Sequence, residues 1–135
     1  IDENITSLAG VPSWMLVLLN RVLERSGKEH ILEVWPNLEV YFHGGVNFNP
    51  YREQYKKMIP KASFKYYEMY NASEGFFAIQ DRNDSKELLL MLDYGIFYEF
   101  IPMNDYAGES SKTITLADVK IDVNYALIIT TNGGL

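Results

Sequence analysis

The sequence predicts an α/β fold, with a mixed sheet, helices in the first half of the chain and antiparallel hairpins in the second. Two observations lead to this prediction. Both clear helical patterns of apolar residues come before residue 60, and short apolar or aromatic runs separated by turn residues follow them. A chain of 135 residues has the length of one ordinary domain. We therefore predict that residues 1–135 form a single domain.

The first helix is predicted over Pro12–Ser26. Proline suits the first helical position because its missing N–H would be unpaired there. Trp14, Leu18 and Val22 then recur at four-residue spacing, and Gly27 is a natural end. We expect this apolar stripe to belong to the core. The ten residues before it show no periodicity, and residues 7–10 are interpreted as a loop.

A second, shorter helix is predicted over Tyr51–Met58. Asn49 is the expected cap, Pro50 suits the first position, and Pro60 ends the helix. A single helical turn is predicted over Thr115–Val119, where Thr115 can cap.

Six strands are predicted from short apolar or aromatic runs between turn residues. The run Leu88–Leu92 is continuously apolar, which is typical of a strand buried on both faces. The six are Leu38–Phe42, Phe64–Tyr70, Phe76–Gln80, Leu88–Leu92, Ile96–Ile101 and Tyr125–Thr131.

Composition excludes several kinds of function. The net charge is −6 and no basic stripe exists, so we expect no nucleic-acid partner. There is no cysteine, which excludes disulfides and Cys-based zinc sites and favours a cytoplasmic location over secretion. No apolar run reaches the ~20 residues needed to cross a bilayer, so no membrane partner is expected.

The two ends of the chain suggest a piece of a longer protein. The sequence starts at Ile1 without Met, and Asn132-Gly133 follows a strong strand. Because Asn-Gly is a preferred hairpin turn, a returning strand is expected around Leu135. The last strand would then be an unprotected edge, prone to self-association.

Two short stretches carry the candidate chemistry. Ser73, Glu74 and Gly75 place a hydroxyl, a carboxylate and a glycine at the end of a strand, where a rigid sheet can aim them. Gly44 and Gly45 end another strand, so that backbone amides can approach a ligand closely. The alternative interpretation of both stretches is structural, namely a hairpin turn and a tight turn.

The residues alone leave the chemistry open. A serine hydrolase using Ser73 would need glycine where Asn71 stands and a histidine after the serine, and none follows. A glycosidase would use carboxylates such as Glu74, Asp93 and Glu99, whose separations the sequence does not fix. Nucleotide chemistry would use the Ser73 hydroxyl on phosphate and Glu74 on Mg²⁺. A non-catalytic interaction module that pairs through its last strand is a further alternative.

Stretches along nearly the whole chain resemble one family. The sequence is similar to the acyl-acid amido synthetases of the auxin-responsive Gretchen Hagen family, bacterial branch, within the adenylate-forming ligase superfamily. The stretches that carry this resemblance are Gly10–Trp14, Trp35–Val40, His43–Val46, Pro50–Arg52, Tyr70–Phe77, Asp93–Gly95 and Phe97–Pro102.

The resemblance implies a function for the parent protein. It implies ATP and Mg²⁺ as cofactors, with an acyl acid and an amine or amino acid as substrates. The chain would be a fragment of the large N-terminal domain of such an adenylate-forming enzyme. It would lack the upstream phosphate loop, the ribose-binding Asp and the C-terminal domain. We therefore predict that the fragment alone is inactive.

The resemblance also implies residue roles. Tyr70 would lie near the adenine, Ser73 near the α-phosphate and Glu74 on Mg²⁺, with Asn71 and Ala72 completing the nucleotide motif. The Gly44-Gly45 pair would lie near the nucleotide and the acyl group.

Four residues outside the nucleotide motif are further candidates for a role at the site or in the fold. Tyr94 and Phe97 are candidates for the acyl pocket. His43 is interpreted as a structural residue at a strand end rather than a base. Arg52 can reach a phosphate or carboxylate from its helix, although a solvated role is favoured.

Overall fold

A computed structural model of the protein describes residues 2–83, 85–107 and 111–133. These residues fall into two compact units, Ile1–Leu90 (unit 1) and Met91–Leu135 (unit 2). Whether residues 1–135 form the predicted single domain is not tested by this division, so the single domain stays a prediction. Within the described residues, no helix is long and apolar enough to cross a membrane.

Unit 1 contains a mixed five-stranded sheet, which confirms the predicted fold class. Its strands follow one another across the sheet in chain order. The first three strands run parallel to one another, and the pairings of β3 with β4 and of β4 with β5 are antiparallel. The strands are β1 (Ser7–Gly10), β2 (Val40–Gly44), β3 (Lys65–Ala72), β4 (Gly75–Ile79) and β5 (Leu89–Leu90).

The first helix, α1, spans Pro12–Ser26 as predicted. Gly27 adopts the left-handed conformation at its end and donates its N–H to the carbonyl of Leu23. The prediction that the whole apolar stripe is core was wrong, because Trp14 is 78% exposed and Leu18 is also exposed. At 100° per residue, the apolar positions spread over more than one face, and the buried ones are Pro12, Met15, Leu16, Leu19 and Val22.

The second helix, α2, spans Arg52–Met58 and begins one residue later than predicted. The cap position belongs to Tyr51, and no side chain caps the helix, so the prediction of an Asn49 cap was wrong. The backbone N–H of Asn49 instead donates to Oδ1 of Asn47, within the turn that precedes the helix.

Buried tyrosines join the helices to the sheet. The rings of Tyr41 on β2 and Tyr55 on α2 stack with their centroids 5.0 Å apart. The hydroxyl of Tyr41 donates to the carbonyl of Gly10, and that of Tyr55 donates to the carbonyl of Pro12, both at 2.8 Å. These bonds fix the point where β1 ends and α1 begins.

Two further sequence predictions in unit 1 were wrong. Residues 7–10 were interpreted as a loop, but Ser7–Gly10 is a strand, because it finds a parallel partner in β2. Leu88–Leu92 was expected to be a strand buried on both faces, but only Leu89–Leu90 pair, and Leu89 is 52% exposed. This short strand is the last one in the described sheet, so it pairs with one neighbour, β4, and its other edge is unpaired there.

Unit 2 is an antiparallel three-stranded sheet, as predicted for the second half. The central strand β6 (Ile96–Pro102) lies between β7 (Ile114–Thr115) and β8 (Tyr125–Thr131). The predicted turn near Thr115 is a 3-10 turn over Leu116–Asp118. The strand expected around Leu135 lies outside the described residues, and self-association through β8 stays a prediction.

Candidate functional site

The carboxyl ends of the three parallel strands meet at one edge of the sheet in unit 1. Gly10 at the end of β1 pairs with His43, and Gly44 at the end of β2 pairs with Met69. The helix α1 starts at Pro12, two residues after Gly10, so its N-terminus lies at the same edge. In open α/β sheets, ligands bind outside the carboxyl ends of parallel strands.

Gly44 lies unusually close to the neighbouring strand. A Cβ atom added at this position would lie 2.3 Å from the carbonyl oxygen of Met69 and 3.6 Å from Oδ1 of Asn71. Only glycine fits there without moving the backbone. The His43-Gly44-Gly45 run therefore abuts the start of the Tyr70–Glu74 stretch.

Gly45 requires glycine for a different reason. Its φ of +81° lies in the left-handed region that side chains disfavour. A Cβ atom there would lie 3.4 Å from Cγ2 of Val11, the residue before α1. The end of β2 at Gly45 thus lies close to the residue that precedes α1.

Ser73 and Glu74 are the two residues of the turn between β3 and β4. Ala72 pairs with Gly75 across this turn, so the hairpin interpretation of the backbone is correct. Both side chains are exposed, and Oγ of Ser73 donates to a carboxylate oxygen of Glu74 at 3.0 Å. The turn therefore presents a hydroxyl and a carboxylate to solvent at a strand end. Among the described residues, the hydrogen-bond partner of the Ser73 hydroxyl is Glu74 and not a histidine, so the hydrolase alternative gains no support.

Tyr70 presents an aromatic surface beside this turn. Its ring contacts that of Phe77 with centroids 5.0 Å apart, and about half of the side chain is exposed. The register of the β3–β4 pairing shifts between Tyr70 and Asn71, because Tyr70 lies opposite Ala78 and Asn71 opposite Phe76, as at a β-bulge. Bulges of this kind commonly redirect side chains next to functional sites.

The described residues contain no cluster of three metal-ligating side chains. Glu74 is the carboxylate that the two-residue turn between β3 and β4 contributes. Mg²⁺ is usually held by one or two carboxylates together with substrate phosphates and water, so a lone carboxylate fits this ion.

The two candidates for the acyl pocket belong to unit 2. Phe97 lies on β6 opposite Thr130, and Tyr94 lies just before that strand. Both side chains are exposed. Their role in an acyl pocket stays a prediction.

Sequence reasoning missed the surroundings of Arg52. Its guanidinium carbon lies 5.0 Å from the centroid of the Phe48 ring and 5.8 Å from that of Tyr66. The His43 ring also stacks on Phe48, at 4.0 Å. An Arg one turn after an aromatic residue is the signal that was available, but the contact with β3 depends on long-range packing.

His43 has the environment of a buried, neutral histidine. Its side chain is 3% exposed. Burial, reinforced by the nearby Arg52 cation, lowers the pKa of His43 to about 4. At neutral pH the ring is uncharged, which agrees with the structural role that the sequence suggested.

Comparison with known proteins identifies the family. The GH3 family N-terminal domain matches residues 1–64, and the GH3 family central domain matches residues 89–135. The chain belongs to the GH3 family. The predicted resemblance to this family is therefore confirmed, and its bacterial branch stays a prediction. The turn with Ser73 and Glu74 lies between the two matched ranges.

Relatives of the chain carry matching names. Indole-3-acetic acid-amido synthetase GH3.3 of Arabidopsis thaliana is 31% identical over 112 residues, and GH3.4 of the same plant is 33% identical over 117. Indole-3-acetic acid-amido synthetase GH3.8 of Oryza sativa subsp. indica is 32% identical over 116 residues. Each match covers 78% of this chain but only 18–19% of the relative. The chain thus spans about a fifth of the length of these relatives.

Proposed function

We propose that the protein to which this chain belongs is an ATP-dependent acyl-acid amido synthetase. It joins a carboxylic acid to an amine or amino acid. The relatives named as amido synthetases support this proposal at the level of the family. The chain would supply the middle of the adenylation site.

The proposed reaction has two steps. A carboxylate oxygen of the acid attacks the α-phosphorus of ATP, and pyrophosphate leaves. The amine nitrogen then attacks the acyl carbon, AMP leaves and the amine loses a proton. The first step builds up negative charge on the phosphates, which hydrogen-bond donors and a cation stabilise.

Three side chains at the strand-end edge have roles in the first step. The half-exposed ring of Tyr70 packs against the adenine, and the Ser73 hydroxyl donates to an α-phosphate oxygen. Glu74 would hold Mg²⁺, which would supply the neutralising charge. Asn71 and Ala72 set the distance between the ring and the turn.

The glycine pair contributes through its backbone. Gly44 and Gly45 carry no side chain that would keep the nucleotide or the acyl group away from the strand end. The N-terminus of α1 at the same edge favours a negatively charged ligand.

One observation carries this proposal. Oδ1 of Asn71 lies against Gly44, so the two stretches that resemble nucleotide-site motifs meet where the parallel strands end. Stretches on opposite faces of the unit would not support a shared site.

Pyrophosphate exchange into ATP tests the proposal. The full-length parent protein is assayed with Mg²⁺ and a panel of aromatic and aliphatic acids, beside Glu74→Ala and the exposed control Glu24→Ala. We expect acid-dependent exchange that falls by about 10²-fold or more in Glu74→Ala, the size typical of lost transition-state stabilisation. The control should keep the parent's rate. An exchange rate in Glu74→Ala equal to that of the parent would show that Glu74 does not take part in adenylation.

The isolated 135-residue chain should show no exchange under the same conditions. Turnover by this chain alone would refute the prediction that it is inactive. A parent protein that neither exchanges pyrophosphate nor binds ATP would favour the alternative, a non-catalytic interaction module. The cytoplasmic location stays a prediction.

A further inference from the structure

A short loop that begins with the glycine pair lies between two buried aromatic side chains. This loop (residues 44–47, the glycine loop) leads from the end of β2 to the turn before α2. Residues 45–47 are exposed, whereas His43 just before the loop and Phe48 just after it are each 3% exposed. Because residues 45–47 contribute little burial, the conformation of the loop depends on how its two ends are held.

The rings of the two end residues stack on each other across the loop. The centroid of the His43 ring lies 4.0 Å from that of the Phe48 ring, and the two planes are inclined by 19°. A stacked aromatic pair is stabilised beyond the area that it buries. Two consecutive glycines allow a loop many conformations, and a stack between residues 43 and 48 permits only those in which the two ends lie together.

The two stacked residues belong to different elements. His43 lies within the sheet, where it pairs with Gly10 of β1 on one side and with Glu68 of β3 on the other. The carbonyl of Phe48 accepts the N–H of Tyr51 at 2.9 Å, directly before α2. The Phe48 ring has further neighbours in the core, namely Tyr41, Tyr55, Tyr66 and the guanidinium of Arg52. The stack therefore joins the sheet to the start of α2 across the glycine loop.

We propose that His43 and Phe48 are positioning residues for the adenylation site, because their stacked rings hold the glycine loop in the conformation that receives the nucleotide. Both side chains are buried, so they act through the backbone of Gly44 and Gly45 rather than by touching the nucleotide. The consequence for ATP rests on the proposed function. The effect of the stack on the loop does not.

Loss of the stack has a specific consequence for ATP binding. When only a fraction of the molecules holds the loop in the binding conformation, the apparent affinity for the ligand falls by that fraction. Saturating ATP selects the competent conformation, so the maximal rate recovers. A residue that only stabilises the fold behaves differently: its loss lowers the amount of active protein, and thus the maximal rate, at an unchanged half-saturating ATP concentration.

Pyrophosphate exchange by the full-length parent protein, measured against ATP concentration, tests this inference. The variants Phe48→Leu and His43→Leu each replace one ring of the stack by an aliphatic side chain. His43→Phe restores a ring at the same position, and Nδ1 of His43 has no hydrogen-bond partner among the described residues that this change would break. The matched control is Phe64→Leu, the same substitution at a buried core residue that follows α2 in the chain.

We expect the half-saturating ATP concentration to rise about threefold to tenfold in Phe48→Leu and His43→Leu, which corresponds to the strength of one aromatic pair. Their maximal rates should stay within about twofold of the parent's. His43→Phe should recover the half-saturating concentration of the parent, and Phe64→Leu should keep it. An unchanged half-saturating concentration in both leucine variants would overturn the proposal, as would a His43→Phe variant that behaves like His43→Leu.

Backbone NMR order parameters of the 135-residue chain, measured without ATP, separate this inference from the proposed function. The amide of Gly45 should have an order parameter near ~0.85 in the parent chain and in His43→Phe, and below ~0.6 in the two leucine variants. A parent protein without pyrophosphate exchange would refute the proposed function and the consequence for ATP, and the order parameters would still decide whether the stack holds the loop. Equal order parameters in the parent chain and these variants would refute that role, whatever the exchange assay shows.

Discussion

The two units differ in how they bury apolar residues. Unit 1 packs two helices on a five-stranded sheet, and its core includes Leu19, Tyr41 and Tyr55, all fully buried. Unit 2 is a three-stranded sheet, and its buried hydrophobic residues in the described part are Tyr98 and Ile101. A sheet hides an apolar face only when a second layer covers it, and within its described residues unit 2 contains no such layer.

The exposed residues of unit 2 show the same difference. Phe97 is more than half exposed although it lies on the central strand, and Ile121 is 91% exposed. A hydrophobic residue in the sequence is therefore not enough to predict a core position. The layer that covers it has to be known as well.

Truncation of one core residue in each unit tests this difference most strongly. Leu19→Ala should lower the free energy of unfolding by about 4 kcal/mol, because the cavity it leaves is enclosed, and Ile101→Ala by about 2 kcal/mol. Urea denaturation of the full chain gives the totals, and hydrogen exchange assigns each loss to its unit. The exposed control Val17→Ala should stay within about 0.5 kcal/mol of the parent. An equal cost at Leu19 and Ile101 would contradict the comparison.

Acidification should also act on unit 1 selectively, since both histidines of the sequence lie there. The pKa of folded His43 is about 4, below its ordinary 6.5, so the unfolded chain binds more protons between these pH values. Stability is therefore highest above pH 6.5 and falls as the pH drops towards 4. The loss from this group is at most about 3 kcal/mol, since one pKa unit corresponds to about 1.4 kcal/mol.

Unfolding free energies measured in urea between pH 4 and 7 check this dependence. The control His43→Phe keeps an aromatic ring on Phe48 and should lose most of the slope that hydrogen exchange assigns to unit 1. An unchanged slope in His43→Phe would show that other groups cause the acid response.

The elements that the sequence predicted well carry their signals locally. Pro12 and Gly27 mark the ends of α1, and the β-branched run Tyr125–Thr131 forms β8 with the predicted bounds. The strand Ser7–Gly10 carries no such signal, because it becomes a strand only by pairing with β2. The run Leu88–Leu92 had the composition of a buried strand but lacked a second neighbour among the described strands.

The candidate site divides in the same way. The turn residues Ser73 and Glu74 could be placed at a strand end from the local pattern alone. The contact of Gly44 with β3 depends on the register between two strands, and the packing of Arg52 on Tyr66 depends on how α2 lies on the sheet. No local pattern encodes either arrangement.

One glycine in each unit gives the smallest test of the comparison. Gly44→Ala should cost about 2 kcal/mol, because the new Cβ would lie 2.3 Å from a backbone oxygen and β2 must move away from β3. Gly95 in unit 2 has a φ of +73° and nothing within 4 Å of the added atom, so Gly95→Ala should cost only the left-handed conformation, about 1 kcal/mol. Unfolding free energies in urea give both costs, and the amide shift of Asn71 should change in Gly44→Ala alone. Equal costs would mean that the strand ends of unit 1 yield as easily as an open turn, and a strand end that yields so easily would not hold Gly44 and Asn71 in a fixed arrangement.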